Sequence, residues 1–463
     1  MKAQHVPLRW WLGLVCLLGP AACGSLPAID PDLARPAGSK VRLEGARGGL
    51  TAAQSKAILD KLKSSSPDTN IFDRHMALEQ AIVGSPLTTG NQVQLLQDGP
   101  ATYRAMFAAI LAAKDHINLE TYILDADEVG QQFVQALLDK QQQGVQVNLI
   151  RDSVGTLGVP PEFFKNLSDR GINVLEFNPV NPLAARNAWA LNQRDHRKLL
   201  IVDGAIAFLG GINISSVYSG GSSSKGSGAN PNASVAWRDT DLQLRGPVVA
   251  EFQKLFLATW AKQNGPPLAN SNFFPAPTSP GKQVVRAIGS SPSDPFSLIY
   301  ATLLSAIGSA ETSVHITNAY FAPDPQLLAA LGAAAARGVD VKLILPSQTD
   351  SWLVFHAGRA YYEQLLRSGV KIYERRGVIL HSKTALVDGV WATIGSTNLD
   401  WRSFLHNEEL NAVVLGTEFG SQVQAMFDKD LAASDAITLA QWQRRPLDLR
   451  IKELLARVWE YWL

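Results

Sequence analysis

The pattern of apolar and polar positions divides most of this chain into two copies of one arrangement. HINLETYIL (116–124) and VHITNAYFA (314–322) carry alternating or continuous apolar residues over strand-length stretches. Each is followed by apolar residues at helical spacing, QQFVQALLDKQQQG and PQLLAALGAAAARG, closed by glycine. Strands GVQVNLI (144–150) and GVDVKLI (338–344) come next, then GINVLEF (171–177) and GVKIYER (369–375). Upstream, GNQVQLLQDGP (90–100) is echoed by GKQVVRAIGSS (281–291). The order is kept and these offsets stay between 191 and 198 residues, which means duplicated domains and not a solenoid. Strands alternating with helices predict an α/β fold with helices flanking each sheet.

A Pro-, Asn- and Ser-rich stretch, QNGPPLANSNFFPAPTSPG (263–281), joins the copies, so lobe 1 is read as 90–266 and lobe 2 as 267–463. Residues 24–50 are rich in Pro, Gly and Ala and read as a tether. TAAQSKAILDKLKSS and FDRHMALEQAIV then predict two helices, completing an N-terminal segment, 24–89. Lobe 1 carries two insertions, NPVNPLAARNAWALNQ and the low-complexity SGGSSSKGSGANPNAS (219–234), the second read as a mobile surface loop.

One repeated stretch fits its strand badly. HRKLLIVDG (196–204) and HSKTALVDG (381–389) open strand-like runs on His and Lys, which gives up burial there. Alternation along a strand puts His196 beside Lys198 and His381 beside Lys383. An imidazole next to an ammonium suits holding an anion and moving a proton. The Asp-Gly pairs, at Asp203 and Asp388, sit between apolar runs and predict tight hairpins, which already accounts for both aspartates. The following strands end in GGINIS and GSTNLD, whose Asn213, Ser396 and Asn398 offer neutral donors, with glycines allowing close backbone approach to the same anion. Aligning WRDTDLQLRG with NEELNAVVLG on the closing glycine sets Asp239 opposite Glu409, with Asp241 as the alternative. The expectation is that each acid holds the histidine of its own repeat in one tautomer. Tyr122 and Tyr320 occupy matching places and read as core residues near the site or as substrate contacts, whereas His75, His116, His315, His356 and His406 have no repeated context.

Composition narrows the partners. Net charge is +1, so no bulk field draws the chain to nucleic acid or membrane, and an apolar fraction of 46% is that of a globular protein. The N-terminus stands apart: Lys2 and Arg9 precede WWLGLVCLLGPAAC, a charged start and short apolar run like a secretory signal over 1–23. Cys16 and Cys23 are the only cysteines, so an exported mature domain has no internal disulfide. Cys23 stands where a bacterial lipoprotein signal places its lipid-carrying cysteine, with Pro20 departing from the usual leucine. At the far end, RRPLDLRIKELLARVWEYWL predicts an amphipathic helix with basic residues and Trp459 and Trp462, either packed on lobe 2 or lying at a membrane surface.

The paired HxKxxxxD stretches with their downstream GGIN and GSTN resemble the phospholipase D superfamily, and the wider texture of residues 90–463 resembles its bacterial cardiolipin synthase branch. The resemblance implies two pseudo-symmetric phospholipase D-like lobes in one chain, with one active site at their interface. It implies a catalytic set of His196, Lys198, Asp203, His381, Lys383 and Asp388, and phosphate contacts from Asn213, Ser396 and Asn398. One histidine would form a phosphohistidine, His196 by family habit, and the other would serve as acid and base, without a metal or other cofactor. The substrates implied are phospholipids at a membrane surface, with phosphatidyl transfer to a lipid alcohol. Water as acceptor would make a phospholipase D instead. The expected setting is the bacterial envelope on its periplasmic side, lipid-anchored if Cys23 is modified, and the expected state a monomer. A nuclease is disfavoured by the missing basic surplus, and an inert lipid-binding scaffold by intact His and Lys in both copies.

Overall fold

The computed structural model describes residues 41–66, 69–185, 190–220, 235–269 and 271–462. The signal-like segment, Cys23 and nearly all of the Gly/Ser-rich loop lie outside the described residues.

Lobe 1 is built on strands β1 (Leu87–Gln97), β2 (His116–Thr121), β3 (Gln146–Asp152), β4 (Asn173–Phe177), β5 (Lys198–Val202), β6 (Ile206–Gly210) and β7 (Thr240–Arg245). Lobe 2 repeats them as β8 (Gln283–Ser290), β9 (Ser313–Asn318), β10 (Asp340–Pro346), β11 (Lys371–Arg375), β12 (Lys383–Val387), β13 (Trp391–Gly395) and β14 (Asn407–Leu415), and adds an edge strand, β15 (Ser434–Ile437). Pairing runs β4-β3-β2-β5-β6-β7-β1 in the first lobe. It runs β11-β10-β9-β12-β13-β14-β8 in the second, with β15 on β11. The three strands from β2 to β4, and from β9 to β11, are parallel and the rest antiparallel, so each sheet is mixed. β1 and β8 pair antiparallel, Asn91 opposite Gln283, which joins the sheets edge to edge about a pseudo-twofold.

Local chemistry sets the boundaries. Asp127 and Asp324 cap the helices Glu128–Gln142 and Pro325–Ala336 by accepting backbone N–H groups of the first turn. Gly144 and Gly338 follow these helices at φ 87° and 92°, left-handed values that glycine adopts without strain. The Asp-Gly hairpins form as expected, with Asp203 and Gly204 at φ 52° and 60° and Asp388 and Gly389 at 50° and 66°.

The lobes meet through an apolar core. Helix Val248–Lys262 sends Phe252 and Phe256 into a cluster holding Ile201 and Leu209 of lobe 1 with Ile394, Leu410 and Phe419 of lobe 2. Polar cross-links reinforce it: Arg238 pairs with Asp430 at 2.9 Å and Arg197 with Glu408 at 2.9 Å, all four buried. Such an interface fixes the lobes relative to one another.

The tether expected over 24–50 ends earlier than composition suggested. Leu43 is fully buried in the lobe 2 core, in a short strand, Leu43–Gly45, parallel to the start of β1. The following helix, Ala52–Ser64, begins in a capping box formed by Thr51 and Gln54. Apolar burial of Leu43, Ile71 and Met76 therefore attaches this segment to lobe 2, although it precedes lobe 1 in the chain.

Candidate active site

Two short parallel strand pairs bring the lobes' motifs together. Arg194–Asp195 pairs with Asn407–Glu408, and Trp237–Arg238 pairs with Ile379–Leu380. Hydrogen bonds extend each pair by one residue: the His196 N–H donates to the Glu408 carbonyl (3.0 Å) and the His381 N–H to that of Arg238 (2.8 Å). The next side chains therefore meet across the interface. His196 Nδ1 lies 3.0 Å from Glu409 Oε1, and His381 Nδ1 lies 2.7 Å from Asp239 Oδ2. This corrects the expectation that each acid serves its own repeat: the pairing is crossed, because the register places each acid beside the other lobe's histidine. Asp241 is not the partner. It accepts the Ile212 N–H, and burial followed by the neighbouring Asp239 pushes its carboxyl well above the usual range.

Both histidines line one cleft of about 360 Å³, with Tyr122, Asn213, Tyr218, Trp237, Tyr320, Asp350, Asn398, Asp400, Arg402 and Asn407 on its walls. The lysines stand behind them, each ammonium donating to the carbonyl of its own motif's histidine, Lys198 to His196 at 2.6 Å and Lys383 to His381. Tyr122 and Tyr320 hold equivalent places, each edge-on to a histidine (5.1 and 5.9 Å between ring centres) and beneath a lysine ammonium (5.2 and 5.8 Å). None of the five histidines without repeated context lines the cleft.

The electrostatics leave the site short of protons. Burial, then the Lys198 ammonium, brings His196 down to about 4 against the pull of Glu409. His381 is lowered for the same reasons, burial and then Lys383, against Asp239. Burial takes Lys198 to about 7 and Lys383 to about 8, although Glu409 and Asp239 both pull upward. Burial would raise Glu409, but His196, Lys198 and Ser396 outweigh it and hold the carboxylate low. At neutral pH a neutral His196 gives its Nδ1–H to Glu409, which leaves the Nε2 lone pair for chemistry. His381 is held through the same nitrogen. An anion bound in the cleft reverses the deficit, since it favours every cationic form around it.

The remaining expected residues divide. Asn213 and Asn398 line the cleft; Asn213 Oδ1 accepts the Ile123 N–H (3.2 Å), whereas the buried Asn398 Oδ1 has no hydrogen-bond partner. Ser396, expected on the phosphate, donates instead to the Glu409 carboxylate and is absent from the cleft wall. Its counterpart in lobe 1 is Gly211, where a Cβ would overlap the Asp239 carboxylate, so this glycine makes room for the acid and not for an anion. Asp203 and Asp388 are removed from the catalytic set by their contacts. Asp203 accepts the N–H groups of Lys114, Asp115 and His116 (2.8–3.0 Å), and Asp388 those of Glu311, Thr312 and Ser313 (2.8–3.0 Å). Each closes a hairpin onto the loop before β2 or β9, away from the cleft. Sequence reasoning missed Tyr218, whose hydroxyl lies 3.3 Å from His381 Nδ1, and Asn407, which donates to Glu409 Oε1 at 3.2 Å. Neither has a repeated counterpart to mark it; Asn407 lies two residues before Glu409, the one available signal.

Comparison with known proteins agrees with this geometry. A family model described as "Cardiolipin synthase, PLD-like domain" matches residues 106–256 and 303–431. A cardiolipin synthase of Geobacillus kaustophilus is 35% identical over 375 residues, 81% of this chain and 72% of that protein. Cardiolipin synthase A of Pseudomonas entomophila is 36% identical over 383 residues, covering 81% and 76%. Among solved structures, the phosphatidylserine synthase of Haemophilus influenzae superposes with a TM-score of 0.61 at 13% identity, over 84% of this chain and 100% of that one, a likeness of fold.

Proposed function

This chain belongs to the phospholipase D-like cardiolipin synthase family, an enzyme family, and from that premise we propose that it joins two phosphatidylglycerol molecules into cardiolipin, releasing glycerol. The observation that carries the reading is the meeting of His196 and His381, each braced by an acid from the opposite lobe and backed by a lysine, in one cleft.

The neutral Nε2 of His196 attacks phosphorus of the donor lipid. The bond to the leaving glycerol oxygen breaks as His381 delivers its Nε2 proton to that oxygen. His381 needs that proton first, and its pKa, lowered by burial and then by Lys383, rises when the phosphodiester anion enters beside it. Asn213 and Asn398 on the cleft wall, with the charge of Lys198 and Lys383 behind the histidines, stabilise the non-bridging oxygens. In the second half His381 takes the proton from a hydroxyl of the acceptor lipid, that oxygen attacks phosphorus, and the bond to His196 breaks. Glu409 and Asp239 keep both rings in the tautomer that leaves Nε2 facing the substrate.

The test uses full-length protein in mixed micelles with phosphatidylglycerol. Cardiolipin and glycerol are expected in equal amounts; phosphatidic acid as the main product would mean that water is the acceptor. His381→Ala is expected to lose turnover of phosphatidylglycerol, because the glycerol oxygen must then leave without a proton, and undiminished turnover in His196→Ala would sink the mechanism.

The charged start, short apolar run and Cys23 support export to the envelope with a lipid anchor. Palmitate label lost in Cys23→Ser is the expected result. Among the described residues no helix is long and apolar enough to cross a membrane.

A further inference from the structure

The C-terminal helix Leu447–Arg457 is turned inside out. Its inner face carries Glu453, buried and paired with Arg445 at 2.8 Å, and the small Ala456. Its outer face, continued past the helix end, carries Leu447, Ile451, Leu454, Leu455, Val458 and Trp459, exposed by 73, 57, 65, 57, 74 and 52%. At 100° per residue these six make one stripe, interrupted by Asp448, whose carboxylate pairs with Lys452 at 3.2 Å. Arg450 and Arg457 fall along one edge of it and Lys452 along the other. A helix that packed only on lobe 2 would bury the leucines and expose the glutamate, so this orientation serves something outside the protein.

The helix that carries the stripe packs beside the rim of the cleft. Ala456 packs with Val354 and Ala357 of the helix Trp352–Arg359, against which Tyr320 also sits. Val354 and Tyr320 line the cleft, while the neighbouring Trp352 and Leu353 are exposed. Apolar exposure recurs on the lobe 1 side. Leu183 belongs to the insertion whose Asn192 accepts from the cleft residue Arg402, and Leu157 to the loop packed on the Tyr122 carbonyl. Most of the large apolar side chains exposed among the described residues thus stand in segments that adjoin this cleft.

We propose that this face docks on an anionic phospholipid bilayer, with the Leu447–Trp459 stripe seated in the headgroup boundary, so that lipids enter the cleft from the membrane plane. The occupant follows from charge and position: an apolar stripe edged by arginine and lysine matches an apolar interior beneath anionic headgroups. A soluble protein partner would leave unexplained why the same apolar character follows the cleft rim onto lobe 1. The inference rests on the lipid substrate class proposed above and adds where and how that substrate is met.

The chain's two cysteines allow a local test. In full-length protein with Cys16→Ser and Cys23→Ser, a polarity-sensitive fluorophore is attached at Ile451→Cys, or at Leu111→Cys as an exposed apolar control elsewhere. Vesicles of equal parts phosphatidylcholine and phosphatidylglycerol should shift the emission of the first label to the blue and leave the second unchanged, with a weaker shift on phosphatidylcholine alone. The triple variant Ile451→Glu, Leu454→Glu, Leu455→Glu should turn over vesicle phosphatidylglycerol roughly 100-fold more slowly, yet match the parent within about twofold on short-chain lipid below its micelle concentration. No local blue shift, or vesicle turnover unaffected by the variant, overturns the proposal. So does concentration-dependent self-association that needs the stripe and persists with vesicles present. If no lipid is turned over in any form but the label at 451 still shifts, the catalytic reading fails and the docking surface stands.

Discussion

Glu409 of the second lobe holds His196 of the first, Oε1 3.0 Å from Nδ1, and the mirror contact joins Asp239 to His381 at 2.7 Å. Neither of these two histidines therefore finds its acid within its own lobe. The apolar core and buried ion pairs between lobes are part of the catalytic geometry, because any slip between them would misalign both imidazoles.

The crossed pairing predicts which chemical role each acid supports, nucleophile for Glu409 and acid–base for Asp239. Glu409→Gln should lower kcat by roughly 10³ with little change in KM, through loss of the His196 tautomer, and should suppress formation of the phosphatidyl-enzyme. Asp239→Asn should slow turnover comparably by weakening His381 as acid and base, yet still allow the adduct on His196 to form from a donor whose leaving group needs no proton. Rapid-quench trapping of the adduct checks both; the opposite assignment would be obtained from acids paired within lobes.

Activity should follow a bell in pH. In the free enzyme kcat/KM rises as His196 loses its proton near about 4, falls as His381, lowered from the usual histidine value, gives up the proton it must deliver, and falls further once Lys198, at about 7, and then Lys383, at about 8, become neutral and stop attracting the phosphodiester. Initial rates on monomeric short-chain substrate across pH 4–9 test this, and Lys198→Arg should move the alkaline limb upward.

The same lysine weakens the fold. Lys198 has a native pKa of about 7, below its value in an unfolded chain, so between those values the unfolded state binds the extra proton. Native stability accordingly rises with pH from about 7 to about 10.4 and carries the full burden of the buried charge below that window. Lys198→Met should raise stability at pH 7 by on the order of 2–4 kcal/mol while abolishing turnover, and the gain should shrink as pH rises. Thermal melts of both proteins at several pH values measure it.

Asp203 should behave as a hinge pin and not as a catalyst. Asp203→Ala removes three backbone acceptances at a left-handed residue, and a loss of about 2–3 kcal/mol in unfolding free energy is expected. Turnover per folded molecule should stay within about threefold of the parent. Asp203→Asn, which tolerates the same φ and keeps one acceptor, should recover roughly half of the lost stability. Denaturant titration beside active-site counting separates the two effects.

Much of this architecture was legible in one dimension. Strand and helix periods, glycines after helices and Asp-Gly hairpins depend on neighbours a few residues away, so HRKLLIVDG and HSKTALVDG could be placed on hairpins from sequence. Their repetition also made His196, Lys198, His381 and Lys383 stand out, since polar groups opening a buried strand need a use. Contacts between the copies were not legible. Ser396 and Gly211 looked like phosphate-facing positions, and only the packed structure turns them toward Glu409 and Asp239. Leu447, Ile451 and Leu454 announced an amphipathic helix, but which face meets the protein depends on the surface of Trp352–Arg359 beneath it. The sequence by itself determined the two lobes and the chemistry each brings. The tertiary structure alone decided that each histidine takes its acid from the other lobe, because strand pairing across the interface, and not distance along the chain, puts residues 409 and 239 within hydrogen-bond reach.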